Sequence, residues 1–170
     1  MVEQTFHKRQ VAGSIPAVST MNPDEKRKKV VEIALSFIGT PYKYGAYAEE
    51  SVTGDRPAGF DCSSFIQHIF KHVDIELPRS SLLQATKGKE LANEAELLLG
   101  DLLFFEGSRG HYNHELFDGK KVYIGHVGIY TGNDKMVHAA GGSHNQVIEH
   151  KLSELPKPLY HVVMMKRIIE

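Results

Sequence analysis

A chain of 170 residues with 20 Lys and Arg against 21 Asp and Glu carries almost no net charge, which removes the electrostatic case for nucleic acid or an anionic membrane surface. That length suffices for one domain with its own core, and no apolar run approaches the length needed to span a bilayer. A single cysteine, Cys62, excludes an internal disulfide and leaves the redox compartment unread.

Residues 1–20 show no hydrophobic periodicity and stand apart from the fold. Gly13-Ser14-Ile15-Pro16 matches one reading frame of the transfer-RNA T-loop sequence GGTTCGATTCC, and Ser19-Thr20-Met21 matches a terminal CCA overlapping an ATG. Met21 is therefore expected to be the true start, with 1–20 a gene-calling artefact and 21–170 a single domain. The competing reading is a secretory signal, with Lys8 and Arg9 as the charged region, but Gly13 and Pro16 interrupt its short apolar core. With no convincing export signal, the chain is expected to be cytoplasmic as synthesised.

Asn22 suits an N-cap, Pro23 the first helical position, and Asp24 and Glu25 the first turn. Val30, Ala34 and Phe37 then recur at helical spacing, and Gly39 can end the helix. A polar stretch rich in turn formers leads to Gly59. Cys62 opens a second helix with Phe65, Ile66, Ile69, Phe70 and Val73 on one face. Leu77-Pro78-Arg79 breaks it, and Ser80 or Ser81 caps a shorter helix through Ala85.

Gly100-Asp101 reads as a turn into a buried strand, Leu102–Phe105, and 106–121 is a long polar insert. Strands are expected at Val122–Tyr130 and Lys135–Ala139, joined by Gly132-Asn133-Asp134, then near Gln146–His150 and over Tyr160–Ile169. Helices first and strands afterwards predict an α+β fold, with helices layered on one side of an antiparallel sheet.

Three residues carry the raw material of nucleophilic catalysis. Cys62 sits at a helix start, where unpaired backbone N–H groups favour thiolate. A free cysteine is more often inert packing, but Asp61 and Ser63 beside it are polar and hard to bury unpaired. His126 shares a strand face with Gly128, which leaves open space above it for a substrate. His138 follows twelve residues later and meets His126 across the hairpin if the turn is tight. Its role would be to bond the far nitrogen of His126, fixing tautomer and tilt. His111 and His114 have a spacing seen in metal sites, yet no further ligand accompanies them, so exposed lid residues are expected and no metal. His68, His72, His144, His150 and His161 carry no signal.

Blocks in fixed order complete the pattern. Pro41-Tyr42-Lys43-Tyr44-Gly45, Phe60-Asp61-Cys62-Ser63-Ser64-Phe65, Leu77-Pro78-Arg79-Ser80-Ser81, Gly100-Asp101-Leu102-Leu103-Phe104-Phe105, Gly125-His126-Val127-Gly128-Ile129-Tyr130 and Val137-His138-Ala139 resemble the NlpC-type cell-wall cysteine peptidases. The similarity covers nearly all of 22–170. Ser64 and Gly45-Ala46 depart from the family pattern without touching the chemistry, and the 106–121 insert is longer than the usual link.

The resemblance implies a papain-like fold, with the cysteine-bearing helix packed on the sheet that carries the histidines. It implies hydrolysis of peptidoglycan stem peptides at the bond between γ-D-glutamyl and meso-diaminopimelate or lysine, through Cys62, His126 and His138. It further implies that Tyr42 holds the oxyanion or orients substrate, and that Asp61 and Ser63 hold the α-amino group of the first L-alanine. No metal or organic cofactor is called for, the partner is a stem peptide or muropeptide, and a monomer is expected. Other readings stay open: an amidase or acyltransferase on the same fold, a phage or effector cell-wall hydrolase, and a non-catalytic binding module.

Overall fold

Helix α1, Pro23–Ser36, starts where the cap residues place it. The Asn22 side chain accepts from Glu25 N–H at 3.0 Å, and the Glu25 carboxylate accepts from Asn22 N–H at 2.8 Å. The structure, a computed structural model, describes residues 17–47, 57–106, 114–156 and 160–170. Val30, Val31 and Ala34 form the buried stripe of α1, and Val18 packs partly buried against the same core.

Helix α2, Cys62–Lys71, is the central packing element. Its Phe65, Ile66, Ile69 and Phe70 are fully buried, each worth about 1.5–3 kcal/mol relative to exposure. The one-turn helix α3, Ser81–Gln84, is capped by the Ser80 hydroxyl, which accepts from Leu83 N–H.

Six antiparallel strands follow: β1 (Lys89–Glu90), β2 (Leu102–Glu106), β3 (His126–Gly132), β4 (Lys135–Ala140), β5 (Gln146–Lys151) and β6 (His161–Arg167). They lie in the order β1-β6-β2-β3-β4-β5. β1 is absent from the sequence reading, because two residues pairing with Arg167 and Lys166 leave no periodicity to detect. The β3–β4 turn places Asn133 and Asp134 at φ 51° and 61°, the left-handed pair that a two-residue hairpin requires.

One expected boundary moves. β3 begins at His126 rather than Val122, and among the described residues its last pair with β2 is Phe105 opposite His126. His126 therefore stands at the first residue of the strand.

Alternation divides the sheet into two faces. Val127, Ile129, Val137, Ala139 and Val147 join the main core under the helices. Leu103, Phe105 and Met136 form a second cluster on the opposite face, packed with Tyr130 and Tyr160. Within the insert, residues 107–113 lie outside the described residues, and Phe117 anchors the following turn by packing into the main core. Among the described residues, no helix is long and apolar enough to cross a membrane.

Candidate active site

Asp61 sets the position of Cys62. Its carboxylate accepts from Ser64 N–H at 2.8 Å, while the Ser64 hydroxyl accepts from Asp61 N–H at 3.0 Å, so α2 begins with Cys62 in its first turn. Upstream, Pro41-Tyr42 is stitched on both sides. Tyr42 N–H donates to Asn145 O at 2.9 Å, and Phe60 N–H donates to Pro41 O at 3.0 Å. The Tyr42 ring lies against Gly141, where an added Cβ would meet it at 3.0 Å.

The backbone N–H groups of Val127 and Ser63 lie near enough to the Cys62 thiol to favour its anion. Val127 follows His126 directly, so the start of α2 abuts the start of β3. His126 Nε2 lies 2.7 Å from Nδ1 of the buried His138. His138 Nε2 in turn lies 3.0 Å from His150 Nδ1. Tyr160 sets its ring nearly perpendicular to both His126 and His138, with centroids 5.7 and 5.8 Å away.

Arg79 closes the polar side. Its guanidinium donates to both carboxylate oxygens of Asp61, to Ser63 Oγ at 2.8 Å and to Ala46 O at 2.8 Å. It also stacks over the Tyr47 ring, 4.8 Å from the centroid.

Burial pushes the Cys62 thiol up to about 12, and the Asp61 carboxylate adds to the rise. The Val127 and Ser63 N–H groups and Arg79 pull the other way. The helix-start field expected to favour thiolate is thus present but outweighed, because desolvation and a neighbouring anion both oppose the charged form. Burial lowers His126 to about 4, and lowers His138 to about 2 with help from His126, His150 and His144. Burial thus favours the uncharged thiol and the uncharged imidazole over their charged forms.

Three comparisons bear on this arrangement. The sequence model of the NlpC/P60 family matches residues 39–165. The chain belongs to the NlpC/P60 family. A probable endopeptidase NlpC homolog of Haemophilus influenzae is 34% identical over 116 residues, covering 68% of this chain and 50% of that protein. A γ-D-glutamyl-L-lysine dipeptidyl-peptidase of Bacillus subtilis is 34% identical over 110 residues, covering 65% of this chain and 31% of that one. The chain spans half or less of the length of these curated relatives. Among solved structures, the peptidoglycan hydrolase RipB of Mycobacterium tuberculosis superposes with a TM-score of 0.64 at 28% identity, covering 94% of this chain and 74% of that one. The papain-like α+β fold expected from the sequence is the fold found, with helices on one face of an antiparallel six-stranded sheet.

In this NlpC/P60 domain Cys62, Asp61 and Ser63 share one helix start, and His126 meets His138 across the hairpin. One expectation about Gly128 is overturned. The space above it is filled, since an added Cβ would meet Met136 Sδ at 2.9 Å and His138 Cβ at 3.3 Å. The glycine makes room for the second histidine, not for substrate.

Arg79, His150 and Tyr160 were not singled out from the sequence. In the sequence Arg79 reads as part of a helix break, and Tyr160 as the opening of a strand. His111 lies outside the described residues, as does the His114 side chain. Among the described residues, no group of three or more His, Cys, Asp and Glu is arranged to hold a metal ion.

Proposed function

We propose that residues 21–170 form a cysteine endopeptidase domain that hydrolyses peptidoglycan stem peptides at the bond between γ-D-glutamyl and the following diamino acid. The observation that carries this reading is the junction of α2 and β3, where Cys62 at the start of the helix lies beside the backbone of Val127 and His126 is already bonded to a second histidine. The names of the matched relatives, an endopeptidase, a γ-D-glutamyl-L-lysine dipeptidyl-peptidase and a peptidoglycan hydrolase, support the substrate class.

In this reading Cys62 Sγ attacks the amide carbonyl carbon as its proton passes to His126 Nδ1. The Cys62 backbone N–H and the Tyr42 hydroxyl stabilise the oxyanion. Collapse of the tetrahedral intermediate breaks the C–N bond, and His126 returns the proton to the departing amine. A water molecule then gives a proton to His126 and its oxygen to the acyl carbon, and the thiol is regenerated. His138 holds the His126 ring by its far nitrogen.

Asp61 and Ser63 would face the α-amino group of the leading L-alanine. Arg79 already occupies both Asp61 oxygens and the Ser63 hydroxyl, so the amine would join this network as a further donor.

The test is incubation of the protein with L-Ala-γ-D-Glu-meso-diaminopimelate and its lysine counterpart, read by mass spectrometry beside Cys62→Ala. Release of the free diamino acid by the parent alone is the expected result. Intact substrate in both samples, or equal release by both, overturns the reading.

A further inference from the structure

We propose that His150 is a positioning residue that fixes which nitrogen of His138, and through it of His126, carries the proton. The inference rests on His126 acting as the base.

A neutral imidazole has one N–H donor and one bare nitrogen. The two contacts here are in series, His126 Nε2 to His138 Nδ1 at 2.7 Å and His138 Nε2 to His150 Nδ1 at 3.0 Å. One hydrogen occupies each contact, so all three rings must point their donors the same way. In the outward arrangement His126 donates to His138, which donates to His150. His126 Nδ1 is then bare, the state a base requires. In the inward arrangement His150 donates to His138 and His138 donates to His126. His126 then holds its proton on Nδ1 and has no lone pair there to receive one from the thiol.

His138 is buried, so an Nε2–H with no acceptor would cost about 1–3 kcal/mol. His150 Nδ1 supplies that acceptor. The strand registers put the three residues on one sheet face: β3–β4 pairing sets Ile129 opposite Val137, and β4–β5 pairing sets Met136, two residues before His138, opposite His150. His150 is also where the chain of rings meets solvent, for it is partly exposed. The groups facing it are His138 on β4, His144 from the β4–β5 loop with ring centroids 4.8 Å apart, and Glu154 from the turn after β5, itself paired with Lys151 at 3.0 Å.

Charging His150 would place a hydrogen on both its nitrogens. Nδ1 would then donate, and the chain would reverse to the inward state. Protonation at the rim would thus silence a base two rings away.

The experiment uses the full chain labelled with 15N-histidine, its ring nitrogens read by NMR, together with stem-peptide hydrolysis across pH for His150→Phe and His150→Gln. In His150→Phe we expect a population of His126 protonated at Nδ1, and kcat/KM about tenfold to a hundredfold lower with KM little changed, less than the ~10⁴ attached to a fully wrong tautomer. Gln accepts from His138 but does not titrate. His150→Gln should therefore recover most of kcat/KM at pH 8 and move the acid limb of the profile to lower pH.

Parent-like His126 and His138 tautomers in His150→Phe would overturn the inference. So would an unmoved acid limb in His150→Gln, which decides the matter if the Phe variant does not fold. The tautomers are readable whether or not the parent cleaves stem peptides, so failure of the peptidase reading is seen separately.

Discussion

Removing the charge of Arg79 and of Asp61 separately should move the Cys62 thiol in opposite directions. Asp61 is 7% exposed and carries an anion one residue from the sulfur, while the Arg79 side chain is 29% exposed and donates to both of its oxygens. Arg79→Met leaves that anion buried and uncompensated. Breaking a fully buried pair this way costs about 3–5 kcal/mol. Because water reaches Arg79, and can reach the vacated oxygens, the expectation here falls to about 2–3 kcal/mol. Asp61→Asn keeps the amide oxygen that caps α2 while deleting the anion that raises the thiol. Iodoacetamide alkylation below the thiol pKa scales with thiolate fraction, about tenfold per unit. Alkylation at pH 8 should therefore slow in Arg79→Met and quicken in Asp61→Asn. Urea midpoints should show the double variant more stable than the sum of the single losses. Additive losses within about 0.5 kcal/mol, or alkylation rates that shift in the same direction, would refute the coupling.

Two further outcomes follow from packing and protonation. Gly128→Ala places a Cβ against Met136 Sδ, which can swing away, but also 3.3 Å from His138 Cβ and 3.4 Å from Val137 O, which cannot. We expect about 1 kcal/mol of lost stability and a drop in peptidase rate of about tenfold to a hundredfold as His138 tilts, measured by thermal melting and substrate turnover. His126 titrates near 6.5 when unfolded and about 4 when folded, so the stability gained by keeping it neutral is present above pH 6.5 and lost as pH falls towards 4. Between pH 7 and pH 5 this one group should remove about 2 kcal/mol, read as a urea midpoint shift that His126→Gln lacks.

What the sequence made legible depends on the range over which each residue acts. Asn22 and Asp61 act through neighbours three positions away, so both helix starts could be read directly. The His126–His138 contact was only half readable: the short Asn133-Asp134 turn pairs the strands, but the register shift between Tyr130 and Gly132, which brings both histidines to one face, has no mark in the sequence. Arg79 was not readable, since its partners Ala46, Asp61 and Ser63 lie 16 to 33 positions away and only the folded chain gathers them. The start of β3 failed for a related reason. Val122-Tyr123-Ile124 has strand composition, but a strand needs a paired partner as well as composition, and the described β2–β3 pairs begin only at His126.

The electrostatics of the thiol show why a local rule can be right in sign and wrong in outcome. Helix-start N–H groups do lower the Cys62 pKa, as the sequence position implies. The residue that caps the helix is itself an anion, however, and capping and thiolate stabilisation compete for the same end of α2. Arg79 relieves that conflict by pairing with Asp61, which leaves the helix capped with less repulsion at the sulfur. Burial then favours the proton on sulfur and off His126, which works against charge on either group. A site built this way spends little of its fold's stability on a standing ion pair. The charge separation falls in the reaction itself, where the substrate carbonyl accepts the sulfur's electrons as His126 accepts its proton.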